Sequence, residues 1–275
     1  MSDYPGLPKG EPGLFEKEKK LNKEQLRELW KKEEETAHIH GWDFSHIHGR
    51  YDEEEDLPWD FLAVIKKHLT PEMKLLDLDT GGGEFLLSYD HLYENTAAVE
   101  SYPPNVELCK EVLLPLGIDF KEAYGGGKLP FPDESFDIVT NRHGDYDPAE
   151  LDRILKPNGV FLTQQVGAEN DRELVEFLLP QATELPFPDA YLTVKMAELK
   201  ERGFEIIECG EARRPIRFYD VGALVWFARI IEWEFPDFSV DTCLDRLYEA
   251  QRIIEEKGVI EGRIHRFYIV ARKLR

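Results

Sequence analysis

The stretch KLLDLDTGGGEFLLSY, residues 74–89, constrains the fold of this chain more than any other. An apolar run of strand character ends in three consecutive glycines and restarts with helical spacing. Parallel α/β sheets build nucleotide sites from that succession, because a backbone without β-carbons lets a ligand approach the carboxyl end of a strand. Asp79 closes the strand where glycine would permit the closest approach. Downstream, TAAVES, IDFKEAY, FDIVTN and GVFLTQQV read as short strands, and PPNVELCKEVLLPL and PAELDRIL as helices between them. That alternation predicts a mostly parallel sheet covered on both faces. Beyond Gly167 the rhythm changes to helices near 171–179 and 189–202, then a long strand in FEIIECGEARRPIRFY. Two amphipathic helices, in VGALVWFARIIEWEF and SVDTCLDRLYEAQRIIEEKG, precede a closing strand in HRFYIVARK. The expectation is an α/β fold with a seven-stranded sheet and a helical insertion over about 219–258 before the last strand.

Residues 1–52 read as an arm, a polar helix and a lid, and residues 53–275 as the main domain. The helix is FEKEKKLNKEQLRELWKKEEETAHI, with Leu21, Leu26, Leu29 and Trp30 on its apolar side. Two His-x-His units follow in HIHGWDFSHIHG and raise a metal site, but no cysteine accompanies them, and the reading adopted is no metal. Trp42 and Phe44 would instead form a lid on a ligand pocket, with Arg50 and Tyr51 as polar contacts. A segment packed for stability alone is the plain alternative.

The charge of −21 argues against a general affinity for nucleic acid, whose binding rests on Lys and Arg contacts to phosphate. Cys109, Cys209 and Cys243 are too scattered for a disulfide framework or a zinc motif, and each reads as a small buried side chain. With no basic leader and no apolar run near the roughly 18 residues of a membrane span, a soluble cytoplasmic protein without a membrane partner is expected. The sequence leaves the oligomeric state open.

The second strand ends in Glu100, 23 residues beyond Asp77 and 17 beyond Gly83, where an acid can accept both hydroxyls of a ribose. A dinucleotide fingerprint would require a small residue near position 86, and the chain has Leu86.

Four motifs, LLDLDTGGGEFL, AAVESYPPNVELCKE, LPFPDESFDIVTNRH and ELDRILKPNGVFLTQQVG, span about Leu75 to Val166. Together they resemble the class I S-adenosylmethionine-dependent methyltransferases, in particular the small-molecule, ubiquinone-biosynthesis-type branch. The resemblance implies a Rossmann-like fold, S-adenosyl-L-methionine as cofactor and methyl transfer to a small-molecule acceptor. It implies cofactor contacts from Asp77, Asp79, Thr80, Gly81, Gly82, Gly83, Glu100 and Ser101, and puts Tyr124 and Gly125 at the adenine wall. It also sets Asn141, Arg142 and His143 where donor and acceptor meet. Of these three, His143 alone has a near-neutral reference pKa, which makes it the candidate general base; a hydrogen bond to the loop above its strand is the alternative. Trp42, Tyr51, Gln165, Tyr219 and Trp226 are the candidate acceptor contacts, with core packing the alternative for the aromatic residues near 219–235.

Two positions depart from the family. It usually has glycine at the place of Asp79, and after the third strand it commonly has an acid where this chain has Tyr124 or Gly125. These departures leave open a catalytically impaired or non-catalytic ligand-binding protein of the same fold. Methylation of RNA is disfavoured by the charge.

Overall fold

The computed structural model describes residues 21–38, 44–53 and 57–274; the N-terminal arm, His40 and Trp42 lie outside them. The strands are β1 (Tyr51–Asp52), β2 (Leu75–Leu78), β3 (Thr96–Glu100), β4 (Asp119–Glu122), β5 (Phe136–Arg142), β6 (Leu155–Val166), β7 (Phe204–Phe218) and β8 (Ile260–Lys273). They form one sheet in the order β1-β7-β8-β6-β5-β2-β3-β4. Pairing is parallel from β4 through β3, β2 and β5 to β6, and antiparallel between β6 and β8 and between β1 and β7. Among the described residues the sheet therefore has eight strands where seven were expected. The extra one, β1, pairs only Tyr51 with Phe218 and Asp52 with Arg217, too short a segment to show a period of two.

The chain divides into two compact units. Of the described residues, one comprises 57–168, 187–212 and 265–274, the other 21–38, 44–53, 169–186 and 213–264, so β7 and β8 contribute residues to both.

The first of these carries the parallel strands. Leu76 and Leu78 pack with Val99, Val139 and Phe161 in one buried cluster, while Leu75, Ala98, Ile138 and Leu162 belong to a second. Alternating residues of each strand thus serve opposite faces, and continuous apolar runs result. The helices of this unit are α2 (Phe61–His68), α3 (Glu84–Leu87), α4 (Pro103–Val112), α5 (Pro148–Ile154) and α7 (Leu192–Glu201). Asp60 caps α2 through the Ala63 amide and Asp147 caps α5 through the Ala149 amide. Helix α3 is a single turn, shorter than its apolar residues suggest, because the Ser88 hydroxyl turns back to the Phe85 carbonyl and Asp90 adopts a left-handed φ of 58°. Cys109 is buried, whereas Cys209 is exposed because its position in β7 faces solvent.

The other unit contains α1 (Lys23–Thr36), α6 (Arg172–Leu178), α8 (Val221–Ile230) and α9 (Leu244–Lys257). Asn22 and Gln25 form a reciprocal capping box at the start of α1. Helix α9 begins later than its sequence pattern because Ser239 and Thr242 bond each other's backbone amides in a local turn. Asp220 caps α8 through Ala223 N at 2.8 Å and holds the half-buried Arg50 guanidinium by two bonds of 2.6 and 2.9 Å. Glu33 is the second carboxylate on Arg50, at 2.9 Å, and the carboxylate pair holds Arg50 firmly protonated against its burial.

Candidate functional site

In the unit that carries the parallel strands, β2 continues outward through β3 to β4, and the chain then crosses back to place β5 on the other side of β2. Such a reversal opens a crevice beyond the carboxyl ends of the strands flanking it. The register sets Leu78 beside both Val99 and Asn141, and Arg142 beside Gln164. The segment from Asp79 to Gly83, Glu100, the Asn141–His143 tripeptide and Gln164–Gln165 therefore emerge at the same end of the sheet.

The turn after β2 is left-handed at alternate residues: φ is 51° at Asp79, 64° at Gly81 and 88° at Gly83. Glycine takes this conformation without steric cost, and Asp is among the few side chains that tolerate it. A β-carbon on Gly83 would stand 2.8 Å from Leu113 Cδ2, so the turn packs against the residue that closes α4. At Gly81 a β-carbon would meet nothing within 4 Å, so open space adjoins the turn there.

Glu100, 5% exposed, reaches the turn from the end of β3. Its Oε2 accepts from Gly81 N at 2.8 Å, and its Oε1 accepts from Ser101 N at 2.8 Å and Tyr102 N at 2.9 Å. The Ser101 side chain itself lies in an exposed position. Behind the turn, Asp77 is buried in β2 and accepts from the Thr140 hydroxyl; burial pushes its carboxyl up to about 6, with that hydrogen bond opposing the shift. Thr80 donates its amide to the Val99 carbonyl, and the buried Cys109 thiol donates to the Gly81 carbonyl.

Asp79 and Tyr124, two of the positions expected to differ from the family that the chain resembles, belong to one construction. Asp79 Oδ1 accepts from Gly125 N at 3.1 Å and its Oδ2 from Asp145 N at 3.0 Å, while the Asp145 carboxylate accepts from the Tyr124 hydroxyl. One side chain thus ties the loop after β4 to the loop after β5. The surrounding glycines are matched to it: a β-carbon on Gly125 would lie 3.0 Å from the Asp79 carboxyl, and one on Gly144 2.6 Å from Asp79 Cβ. Burial raises the Asp79 carboxyl to about 6, against the pull of its two amide donors, with the charges of Glu100 and Asp145 adding to the rise. The hydrogen bond to Asp145 raises the Tyr124 phenol to about 12.

At the end of β5, Asn141 has no exposed surface and is engaged throughout. Its Nδ2 donates to Leu78 O at 3.2 Å, and its Oδ1 accepts from the Thr163 hydroxyl at 3.1 Å and from Gln165 Nε2 at 2.5 Å. Gln165 also donates to the Gly144 carbonyl. Asn141, expected at the reacting end, is therefore a strut within the sheet, because every polar atom of its amide is committed to protein. The Arg142 guanidinium lies 4.8 Å from the centre of the Phe85 ring, which itself stacks on Phe61. His143 has a left-handed φ of 58°; its amide donates to Gln164 O at 2.9 Å, and its Nε2 lies 3.3 Å from Gln164 Nε2.

The remaining acceptor candidates belong to the other unit. Tyr51 stacks on Phe218 and Tyr219 donates its hydroxyl to Asp52. Trp226 is 1% exposed and packs edge-on to Phe44 and face-on to His46, so its surroundings are those of a core residue. Trp42 lies outside the described residues. Among the described residues no group of three or more His, Cys, Asp or Glu could hold a metal ion, and no helix is long and apolar enough to cross a membrane.

Residues 76–163 match the family model described as a methyltransferase domain. Within that segment lie Asp77, the glycine turn, Glu100 and His143. Among curated relatives, the uncharacterized methyltransferase YcgJ of Bacillus subtilis (strain 168) is 28% identical over 126 residues, 42% of this chain and 50% of the relative. The ubiquinone/menaquinone biosynthesis C-methyltransferase UbiE of Shewanella sediminis is 32% identical over 117 residues, 38% of this chain and 47% of the relative. The chain thus spans about half the length of the curated relatives it matches. The solved structure of Bacillus subtilis YcgJ has a TM-score of 0.52 at 19% identity, covering 78% of this chain and 98% of that one. A functionally unknown protein of Deinococcus radiodurans R1 has a TM-score of 0.53 at 14% identity, covering 78% and 86%. These two likenesses carry the fold.

The family resemblance implies S-adenosyl-L-methionine as methyl donor, and residues of the matched segment fit such a ligand. The open space beside Gly81, the buried Glu100 acceptor and the Asp79 carboxylate suit a ligand that brings hydroxyl donors and positive charge. Three contributing residues escaped the sequence reading: Trp59, Thr140 and Asp145. Asp145 had a faint signal as an acid two residues beyond His143, whereas Trp59 and Thr140 are recognisable only from the contacts they make.

Proposed function

We propose that the protein is an S-adenosylmethionine-dependent methyltransferase acting on a small-molecule acceptor. The observation that carries this reading is the buried Glu100 carboxylate joined to Gly81 N across a left-handed glycine turn, at the point where the strand order reverses. Glu100 would accept the ribose hydroxyls, exchanging its bond from Gly81 for bonds from the ligand. The Gly81–Gly83 backbone would flank the sugar and methionine portions. Asp79 would set its negative charge near the ligand's ammonium and sulfonium groups, which favours a cationic ligand.

The bound cofactor supplies an electrophilic methyl group; the protein's task is to hold donor and acceptor in line and exclude water. His143 and Arg142 would border the reacting end, with Asn141 and Gln165 holding the backbone beneath them. The negative charge of −21 supports a small molecule over RNA.

Titration calorimetry with S-adenosylmethionine and with its demethylated product tests the reading. Saturable binding of both is expected, weakened about a hundredfold by Glu100→Ala, as for the loss of two hydrogen bonds to a charged group. No detectable binding of either at millimolar concentration would overturn it. Binding without methyl transfer to any of a panel of phenols, amines and carbon acids would favour the non-catalytic alternative, which draws on the departure at Asp79.

A further inference from the structure

Gln164 holds His143 at two points. Its carbonyl accepts the His143 amide at 2.9 Å, and its side-chain nitrogen faces imidazole Nε2 at 3.3 Å. The second contact has a direction, set by a third residue. Trp59 Nε1 lies 2.8 Å from Gln164 Oε1. An indole N–H can only donate, so the amide atom facing it must be the oxygen. The NH₂ end of Gln164 then points at His143 and can only donate. An imidazole nitrogen that receives a hydrogen bond carries no proton of its own.

The chain is supported from behind. The Trp59 ring packs on Tyr268 with centroids 5.0 Å apart, and the Tyr268 hydroxyl donates to Glu208 at 2.9 Å. Gly210 leaves no room for a β-carbon, which would lie 2.6 Å from Tyr268 Cε1 and 3.6 Å from Trp59 Cε3. Gln164 is 2% exposed, so water does not compete for its amide, and reversing it would strand the indole N–H.

We propose that Trp59 and Gln164 are positioning residues that hold His143 as a neutral imidazole with its proton on Nδ1. The Nε2 lone pair is engaged by Gln164, so this nitrogen does not serve as a general base while the amide keeps its orientation. His143 acts at the reacting end as a fixed, neutral group. The tautomer follows from the free protein alone; its bearing on methyl transfer rests on the methyltransferase reading.

Long-range ¹H–¹⁵N correlation spectra of the full chain report the protonation of each imidazole nitrogen. In the wild type, His143 is expected to populate the Nδ1–H tautomer over the Nε2–H form by about tenfold, the equivalent of one hydrogen bond. Gln164→Glu replaces the donor with an acceptor and should invert that ratio. Trp59→Phe keeps the ring on Tyr268, removes only the N–H, and should bring the ratio toward unity by freeing the amide to turn. A protonated Nε2 in the wild type, or a ratio unchanged in both variants, would overturn the proposal. Calorimetry of the wild type with S-adenosylmethionine, run in parallel, separates the two claims: absent binding would sink the methyltransferase reading while leaving the tautomer result standing.

Discussion

Replacing Asp79 by glycine, the residue that the family resemblance leads one to expect there, distinguishes a damaged ligand turn from a remodelled one. The substitution removes two amide-to-carboxylate hydrogen bonds, from Gly125 N at 3.1 Å and Asp145 N at 3.0 Å. Bonds to a charged group contribute roughly 1.5–3 kcal/mol each, so about 3–6 kcal/mol of interaction is lost. Two gains oppose the loss. Relief of a left-handed φ of 51° returns about 1–2 kcal/mol. Relief of a buried charge returns up to about 3 kcal/mol, since burial holds the carboxyl near 6 against an ordinary 3.8. Global stability at neutral pH should therefore change by no more than about 2–3 kcal/mol, while both loops lose their shared anchor. The sign with pH follows from the raised carboxyl: protonation stabilises the fold, fully below about 3.8, and this stabilisation is lost as pH rises through about 6. The variant should accordingly show a shallower fall in stability over that window, with Asp77, also near 6, supplying what remains. Hydrogen exchange at the Gly125 and Asp145 amides should accelerate about tenfold or more in the variant, as expected for one lost bond at each. Donor affinity measured by calorimetry should fall. A tenfold rise in affinity with unchanged exchange at those amides would refute the reasoning and mark Asp79 as a lesion.

Gly144→Ala should destabilise the fold by about 1–3 kcal/mol in urea titrations, because its β-carbon would stand 2.6 Å from Asp79 Cβ. Much of that loss should be recovered in the double variant with Asp79→Gly, since the glycine has no β-carbon to collide; full additivity would contradict the assigned contact. In the other unit, Arg50→Ala should cost about 3–5 kcal/mol, because Asp220 and Glu33 lose the cation between them; a loss below about 1 kcal/mol by chemical denaturation would show that water replaces it.

The fold was legible in the sequence wherever local signals and burial agreed. The strand and glycine turn of residues 74–83 carried their own period and their own stop, and Glu100 stood at a countable distance from them. Strand β1 escaped because two residues carry no period, and α9 was overestimated because Ser239 and Thr242 bond locally within an apparently helical run. The hydrogen bonds that occupy the Asn141 amide were illegible for a related reason. Its position at the end of β5 follows from sequence, but the partners that absorb its amide come from β2 and β6.

Local signals along the chain were enough for a mostly parallel sheet, a glycine turn after its first core strand and an acid opposite it, because each depends on neighbours close in sequence. The sequence also marked Asp79 as unusual without showing what the residue does. Tertiary structure alone decided that, by bringing Gly125 and Asp145 to its carboxylate from loops 46 and 66 residues away. It likewise set the protonation of His143 through Gln164 and Trp59, 21 residues from the first and 105 from the first to the second. Hydrogen bonds depend on ångström-scale distance and direction, and for residues so far apart in the chain only the packing of the strands between them supplies both.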